Sequence, residues 1–301
     1  MANANFLVPS LNEGGTKLTV EMALKMPTTI RQRIAEVVAR RTIAGAFFSA
    51  TGSKVEGGGI LHSVLKAEDF YASDPVDRAP GSEYERIDTP EPTYDLAKLQ
   101  DFGGYYEITD EERDRNMTDV IMERTDTVSN SILRSLDRRA IAAIDAAVAK
   151  IPAGGGIVPG VDVSAIELNG DPTTQTATSA RFEATLSALN LSVEIDELGF
   201  ELDTLVLHPS EKSQLALAYG KDLSELLDAF GFKIISSPLV TAGTGYAVAT
   251  GQAGRIGYEK ALTVESIPQR ERRTTRVQAY IVPAFAVTNP YAVKKITGMA
   301  G

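Results

Sequence analysis

Apolar side chains recur at steps of three or four along one stretch: Met117, Ile121, Thr125, Val128, Ile132, Leu136, Ala140, Ala143 and Ala147. That spacing follows one side of a helix. Ahead of the row, Thr109 and Glu112 stand in the Thr-x-x-Glu arrangement of a capping box, where each side chain satisfies an orphan backbone N–H. Asp110, Glu111 and Glu112 put negative charge in the first turn, where the helix dipole favours it. No Pro or Gly interrupts before Pro152 and the Gly154-Gly155-Gly156 run. The pattern predicts a helix over residues 109–150, with a break near Asn116–Thr118. At about 1.5 Å per residue it would span about 60 Å. Arg138, Arg139 and Asp145 lie off the row, and no strict heptad is present. A spine with a sheet against it is therefore expected, rather than a free coiled coil.

Upstream, residues 1–17 are rich in Asn, Gly, Pro and Ser and read as an irregular arm. After Pro27, Thr28 can cap a helix carrying Ile30, Ile34, Val37 and Val38, with Arg31, Arg33, Arg40 and Arg41 off that stripe. Its apolar stripe is short, which favours packing on its own protein over a membrane surface.

Residues 51–104 contain the breakers Gly57-Gly58-Gly59, Asp74-Pro75, Ala79-Pro80-Gly81 and Pro90-Glu91-Pro92. The run at 60–65, and Tyr71, Tyr84, Ile87, Tyr94 and Leu96, predict the two strands of a long hairpin. So few apolar side chains cannot form a core alone, so the hairpin is expected to be ordered by a neighbour.

Beyond the spine, residues 154–178 read as loop and 179–191 as helix. A buried strand is predicted at 203–208, helices at 210–219 and 222–230 (closed by Gly231), and strands at 233–237 and 245–249. This alternation predicts an α/β-type unit with its own core. Strands return at 261–267, 273–288 and 292–296, which predicts a second, discontinuous α+β layer together with the spine.

A chain of 301 residues with 43% hydrophobic content can fill one large core or two moderate ones. No run reaches the length of a membrane helix, and residues 1–5 lack signal-peptide character. Cysteine is absent, which excludes disulfides and thiolate metal sites. The net charge is −10, with a basic beginning and end around an acidic middle. That balance argues against tight general nucleic-acid binding, which needs clustered Lys and Arg. Opposite segments can instead complement each other between copies.

Catalytic signals are weak. His208 follows an apolar strand and precedes Pro209, and His62 sits among Ile60, Leu61 and Val64; neither has a second His or Cys nearby. The glycine clusters at 57–59 and at Gly243 and Gly245 match no phosphate-loop spacing. No cofactor or metal is expected. The sharpest charge feature is Arg270, Arg272, Arg273 and Arg276. It reads equally as a solvated strand edge or as a docking surface for the acidic hairpin, with Asp74, Asp77, Glu83, Glu85 and Asp88 as opposites. Lys54 and Arg78 complete the candidate subunit-interface set.

Four segments in order carry a resemblance: Y-E-I-T-D-E-E-R-D at 106–114, D-T-L-V-L-H-P-S at 203–210, F-K-I-I-S-S at 232–237, and A-Y-I-V-P-A-F-A-V-T-N-P-Y-A-V-K-K-I-T-G at 279–298. The chain resembles a tailed-bacteriophage major capsid protein of the Hong Kong 97 fold. That implies an α+β fold with residues 1–50 as N-terminal arm and helix and 51–104 as E-loop. Residues 105–150 and 251–301 would form the P domain and 151–250 the A domain. It implies no enzyme, but a protein that self-assembles as hexamers and pentamers into an icosahedral shell around double-stranded DNA, in the host bacterial cytoplasm. Partners would be further copies, a portal, and separate scaffolding or decoration proteins, with no membrane. Because the arm helix is expected within about 30 residues of Met1, less than a typical domain, a separate scaffold or none is expected. A Lys54 or Lys66 cross-link to Asn289, known among relatives, is not expected, because no proton-accepting carboxylate is identifiable. The alternatives are an encapsulin-like compartment of the same fold and an α/β hydrolase using His208.

Overall fold

Thr109 closes strand β4 (Phe102–Thr109) and opens the helix behind it. Its hydroxyl accepts the Glu112 N–H at 3.2 Å, and the Glu112 carboxylate accepts the Thr109 N–H at 3.0 Å, so both halves of the capping box form. The computed structural model describes residues 30–32, 34–35, 42–66, 69, 77–84, 86, 91–115, 117–152, 155–168, 173, 175–196 and 199–300. The expected arm at 1–17, Thr28, Val37 and Val38, and Arg33, Arg40 and Arg41 lie outside these residues. Ile30 and Ile34 are inside them and fully buried.

One turn of helix, α1 (Ala44–Phe47), runs into β1 (Phe48–Ala50). A hairpin of β2 (Gly59–Val64) and β3 (Thr93–Lys98) precedes β4. The expected single helix is two: α2 (Asp110–Asp114), then α3 (Thr118–Val148), divided where a break was expected. Next come β5 (Ile157–Pro159), α4 (Phe182–Asp196), β6 (Thr204–Leu207), α5 (Pro209–Tyr219), α6 (Asp222–Phe230), β7 (Lys233–Ser236) and β8 (Thr244–Val248). Gly231, at φ 77°, supplies the left-handed residue that ends α6. The chain closes with β9 (Gly254–Gln269), β10 (Thr274–Ala286) and β11 (Val293–Thr297).

These strands make a four-stranded sheet, β1-β9-β10-β4, a five-stranded sheet, β5-β11-β8-β6-β7, and the separate β2–β3 pair. Strand β11 lies in the five-stranded sheet between β5 and β8, not with the long strands before it. The cause is visible in alternation: Val293 faces the spine core while Ile296 faces the core under α4 and α5. Strand β9 also starts earlier than expected, since Gly254, Gly257 and Glu259-Lys260 conceal its beginning. Arg273 is not in the following strand but takes φ 52° in the tight turn before it. Strand β5 arises where only loop was expected.

Helix α3 is common to both sheets. Its first half, through Ile121, Val128 and Ile132, packs on Tyr106, Ile108, Val277 and Ile281 of the four-stranded sheet. Its second half meets Phe47, Val206, Tyr246, Val248 and Val293. Burial there falls on Ile141, Ile144 and Val148, while Ala143 and Ala147 are only partly covered and Met117 is exposed. The buried face turns because a straight helix drifts relative to its neighbours and the neighbour changes midway. The other face of the five-stranded sheet holds Leu205, Leu207, Ala247 and Ile296 against Phe182, Leu186, Leu189 and Leu215.

Candidate assembly interface

Strands β2 and β3 pair antiparallel with Ile60 opposite Ala97, Leu61 opposite Leu96, His62 opposite Asp95 and Ser63 opposite Tyr94. Successive side chains take opposite faces. One face, through Ile60 and Ala97, rests on Ala284 and Ala286 of β10. The other presents Leu61 (69% exposed), Leu96 (52%) and Tyr94. Among the described residues nothing covers this apolar rung on the outside of the two-stranded arm.

Main-chain bonds tie both ends of the β2–β3 pair to the body. The N–H groups of Val55, Leu65 and Gln100 donate to the carbonyls of Tyr258 (3.1 Å), Thr288 (2.8 Å) and Pro283 (3.0 Å). The Lys150 ammonium at the end of the spine donates to Asp95 at 2.8 Å, and this bond holds the Asp95 carboxyl below the usual range. The expectation that the hairpin depends wholly on a neighbour is therefore narrowed: the β2–β3 pair is held by its own chain on one face, and among the described residues its outer face lacks cover. Between hairpin and spine runs a groove of about 740 Å³, lined by Val64, Ala97, Ala143, Ala147, Phe285 and Tyr291.

Nearer the tip, Ser82 N–H donates to Ala79 O at 3.1 Å, and the Arg78 guanidinium donates to Ser82 O at 2.7 Å while lying 4.8 Å from the Tyr84 ring centre. Tyr84 is 80% exposed. Asp77, Glu83 and Lys54 are exposed as well. Asp74, Glu85 and Asp88 lie outside the described residues, so the acidic half of the anticipated pairing is seen only in part.

The basic group stands at the turn between β9 and β10, and it divides. Arg270 and Arg272 are exposed in that turn. Arg273 approaches Asp110 and Glu111, each at 3.8 Å. Arg276 pairs with Glu107 at 3.2 Å and stacks 4.1 Å from the Tyr105 ring centre. Two of the four thus meet carboxylates of their own chain. Behind them, Arg124 donates to both oxygens of Glu112 at 3.0 and 2.8 Å. That bond is the main reason the Glu112 carboxyl is held low.

His208 caps α5: its Nδ1 accepts the Ser210 N–H at 3.2 Å and lies 2.6 Å from the Ser210 hydroxyl. Glu211, buried beside it, accepts the Gly243 N–H at 2.8 Å. Ring and carboxylate are thus engaged in closing a helix end. Asn289 caps its own turn by accepting the Tyr291 N–H at 3.2 Å. Among the described residues no cluster of three His, Cys, Asp or Glu could hold a metal, and no helix is long and apolar enough to cross a membrane.

Sequence reasoning found Tyr94 and Leu96 as strand residues but missed that they form an exposed rung with Leu61. The signal was present: Ile60 and Leu61 in succession make both faces of β2 apolar, and only one can be covered by the chain itself.

A spine helix shared by two sheets, with a hairpin beside it, is the arrangement of the Hong Kong 97-like capsid fold. Residues 93–296 match the family described as phage capsid protein, and the chain belongs to that family. Solved structures agree on the fold. The virus-like particle from Pyrococcus furiosus is 12% identical, with TM-score 0.57, covering 89% of this chain and 98% of its own. A protein of Mycobacterium phage Adephagia is 14% identical with TM-score 0.61, covering 85% and 89%. The capsid protein of cyanophage P-SCSP1u is 13% identical with TM-score 0.60, covering 87% and 89%. No curated protein sequence matches the chain.

Proposed function

We propose that this chain is the major capsid protein of a tailed phage, forming hexamers and pentamers of an icosahedral shell around double-stranded DNA. The host bacterial cytoplasm is the place of assembly, and portal and separate scaffolding or decoration proteins are the other partners. Residues 51–104 serve as the E-loop, residues 105–150 and 251–301 as the P domain and residues 151–250 as the A domain, with β11 reaching from the P-domain segment into the five-stranded sheet.

The observation that carries this reading is the outward rung of Leu61, Leu96 and Tyr94 on the face of the hairpin turned away from the body. Burying a leucine side chain is worth about 1.5–3 kcal/mol. Another copy of the chain is the partner always present at equal concentration, and repeated head-to-tail contacts of this kind close into rings. Velocity sedimentation of the purified full chain tests the reading: fast particles are expected, and a monomer at every concentration and salt would overturn it.

A second reading, a compartment that holds protein cargo, is favoured by the near-complete coverage of the Pyrococcus furiosus particle. Ultraviolet absorbance of nuclease-treated particles separates the two, since packaged DNA dominates at 260 nm.

A further inference from the structure

Tyr84 stands 80% exposed in the loop that joins β2 to β3, yet its ring is held in place. The Arg78 guanidinium lies 4.8 Å from the ring centre and donates to Ser82 O at 2.7 Å. The Ser82 hydroxyl and N–H both donate to Ala79 O, at 2.8 and 3.1 Å, which closes the turn around Pro80 and Gly81. An aromatic side chain fixed in advance loses little freedom on binding, and tyrosine is among the residues that dominate interfaces. Tyr94 lines the groove beside the hairpin, and Tyr105 lies against Arg276 on a sheet. Among the exposed aromatics of the described residues, Tyr84 is thus the one presented by a turn.

The same chain carries a hole of matching character. The groove of about 740 Å³ between hairpin and spine is floored by Ala143, Ala146 and Ala147. Three and four residues from Ala143, the other two fall on its side of α3, and alanine there leaves depth that a longer side chain would fill. Val64 and Phe285 form apolar walls. Lys66 and Lys150, both exposed, also line it. The one carboxylate in the lining, Asp95, is taken by Lys150 at 2.8 Å. Beside Tyr84 the sign is reversed: Asp77 and Glu83 are exposed, while Arg78 is engaged by the ring and by Ser82.

We propose that Tyr84 of one copy seats in the hairpin–spine groove of the next, with Asp77 and Glu83 meeting Lys66 and Lys150 at the rim. Knob and groove lie on different parts of one chain, so the contact is heterologous and passes head to tail. The ring's own groove is not its seat, because Tyr84 is 80% exposed in the single chain. A tyrosine buried there withdraws about 150–250 Å² from water, and the opposed charges set the direction in which the loop enters. This contact rests on the shell reading and names residues through which copies engage. It is separate from the rung of Leu61 and Leu96, which occupies the other face of the hairpin.

For the test, Tyr84 is replaced by the photo-cross-linker p-benzoylphenylalanine in the full chain, and assembled particles are irradiated. Cross-linked dimers are expected on a denaturing gel, with mass spectrometry placing the link within residues 143–152 or 285–291. Links confined to single chains, or between copies at other residues, overturn this contact while leaving the shell reading in place. Ala146→Phe, which fills the floor, and Tyr84→Ala should each raise the concentration needed for assembly by about tenfold or more, the scale of an aromatic anchor. The melting temperature of the unassembled chain should stay unchanged in both. The double variant should assemble no worse than either single one, because both remove the same contact, and this cycle decides the matter if the photo-labelled chain does not assemble. Additive losses, or no loss, overturn the proposal. An unmodified chain that remains monomeric overturns the shell reading and this contact with it.

Discussion

Leu61 sits directly across the hairpin from Leu96, and both side chains stand in solvent although each strand's other face is packed on the body. Under the proposed function this pair is a contact with another copy of the chain. Leu61→Ser with Leu96→Ser is expected to leave the melting temperature of the unassembled chain nearly unchanged, since exposed substitutions usually move stability by less than about 0.5 kcal/mol. Assembly should weaken by about 2 kcal/mol or more per contact, the scale of a buried anchor. Sedimentation and calorimetry on the same preparation check both halves.

The lead-in to the spine is held by charge as well as by its cap. The Glu112 carboxyl is held low, first by Arg124, so its folded value lies below its unfolded one. That contribution is complete above the unfolded value, about 4.3, and is lost as pH falls through the folded value. Arg124→Met should weaken this acid sensitivity, leaving the part due to the Thr109 bonds, and cost about 1 kcal/mol or less at pH 7. Thr109→Ala should cost about 1 kcal/mol through loss of the cap. Urea unfolding of both variants from pH 3 to 7 is the measurement.

Lys294 is 1% exposed and donates to Asp196 at 2.7 Å and to the Gly155 carbonyl at 2.8 Å. Removing one partner of a buried pair leaves the other uncompensated. Asp196→Ala strands the ammonium and is expected to cost about 3–5 kcal/mol. Lys294→Met should cost less, because Asp196 retains access to water. Equal losses in urea unfolding would contradict that asymmetry.

Phe47 packs edge-on to Tyr246 with ring centres 5.8 Å apart, where α1 meets the five-stranded sheet. Phe47→Ala is expected to cost about 3–5 kcal/mol, as full truncation of a buried aromatic does. Thermal unfolding reads it directly.

The parts of this fold that announce themselves are those whose signal is local. Thr109 and Glu112 lie three residues apart, and the steps from Ile121 to Ala140 need no knowledge of the partner sheet. The same holds for Gly231 ending α6. What stayed hidden depends on distant residues. Val293–Thr297 reads as a strand, but its placement beside β5 and β8 follows from which core each alternate side chain meets. Asp137 looks like a polar interruption of an apolar row until Thr42, Ile43 and Ala44 are brought to it. Likewise, the arginines at 273 and 276 gave no sign that Asp110 and Glu107 would lie within reach, because their neighbours come from strand register.

Electron microscopy of the expressed full chain, carried to a reconstruction, tests the central claim most directly. Closed shells are expected, with the Leu61 and Leu96 face of each hairpin covered by another copy. Uniform single molecules, or particles in which that face points into solvent, would contradict the account.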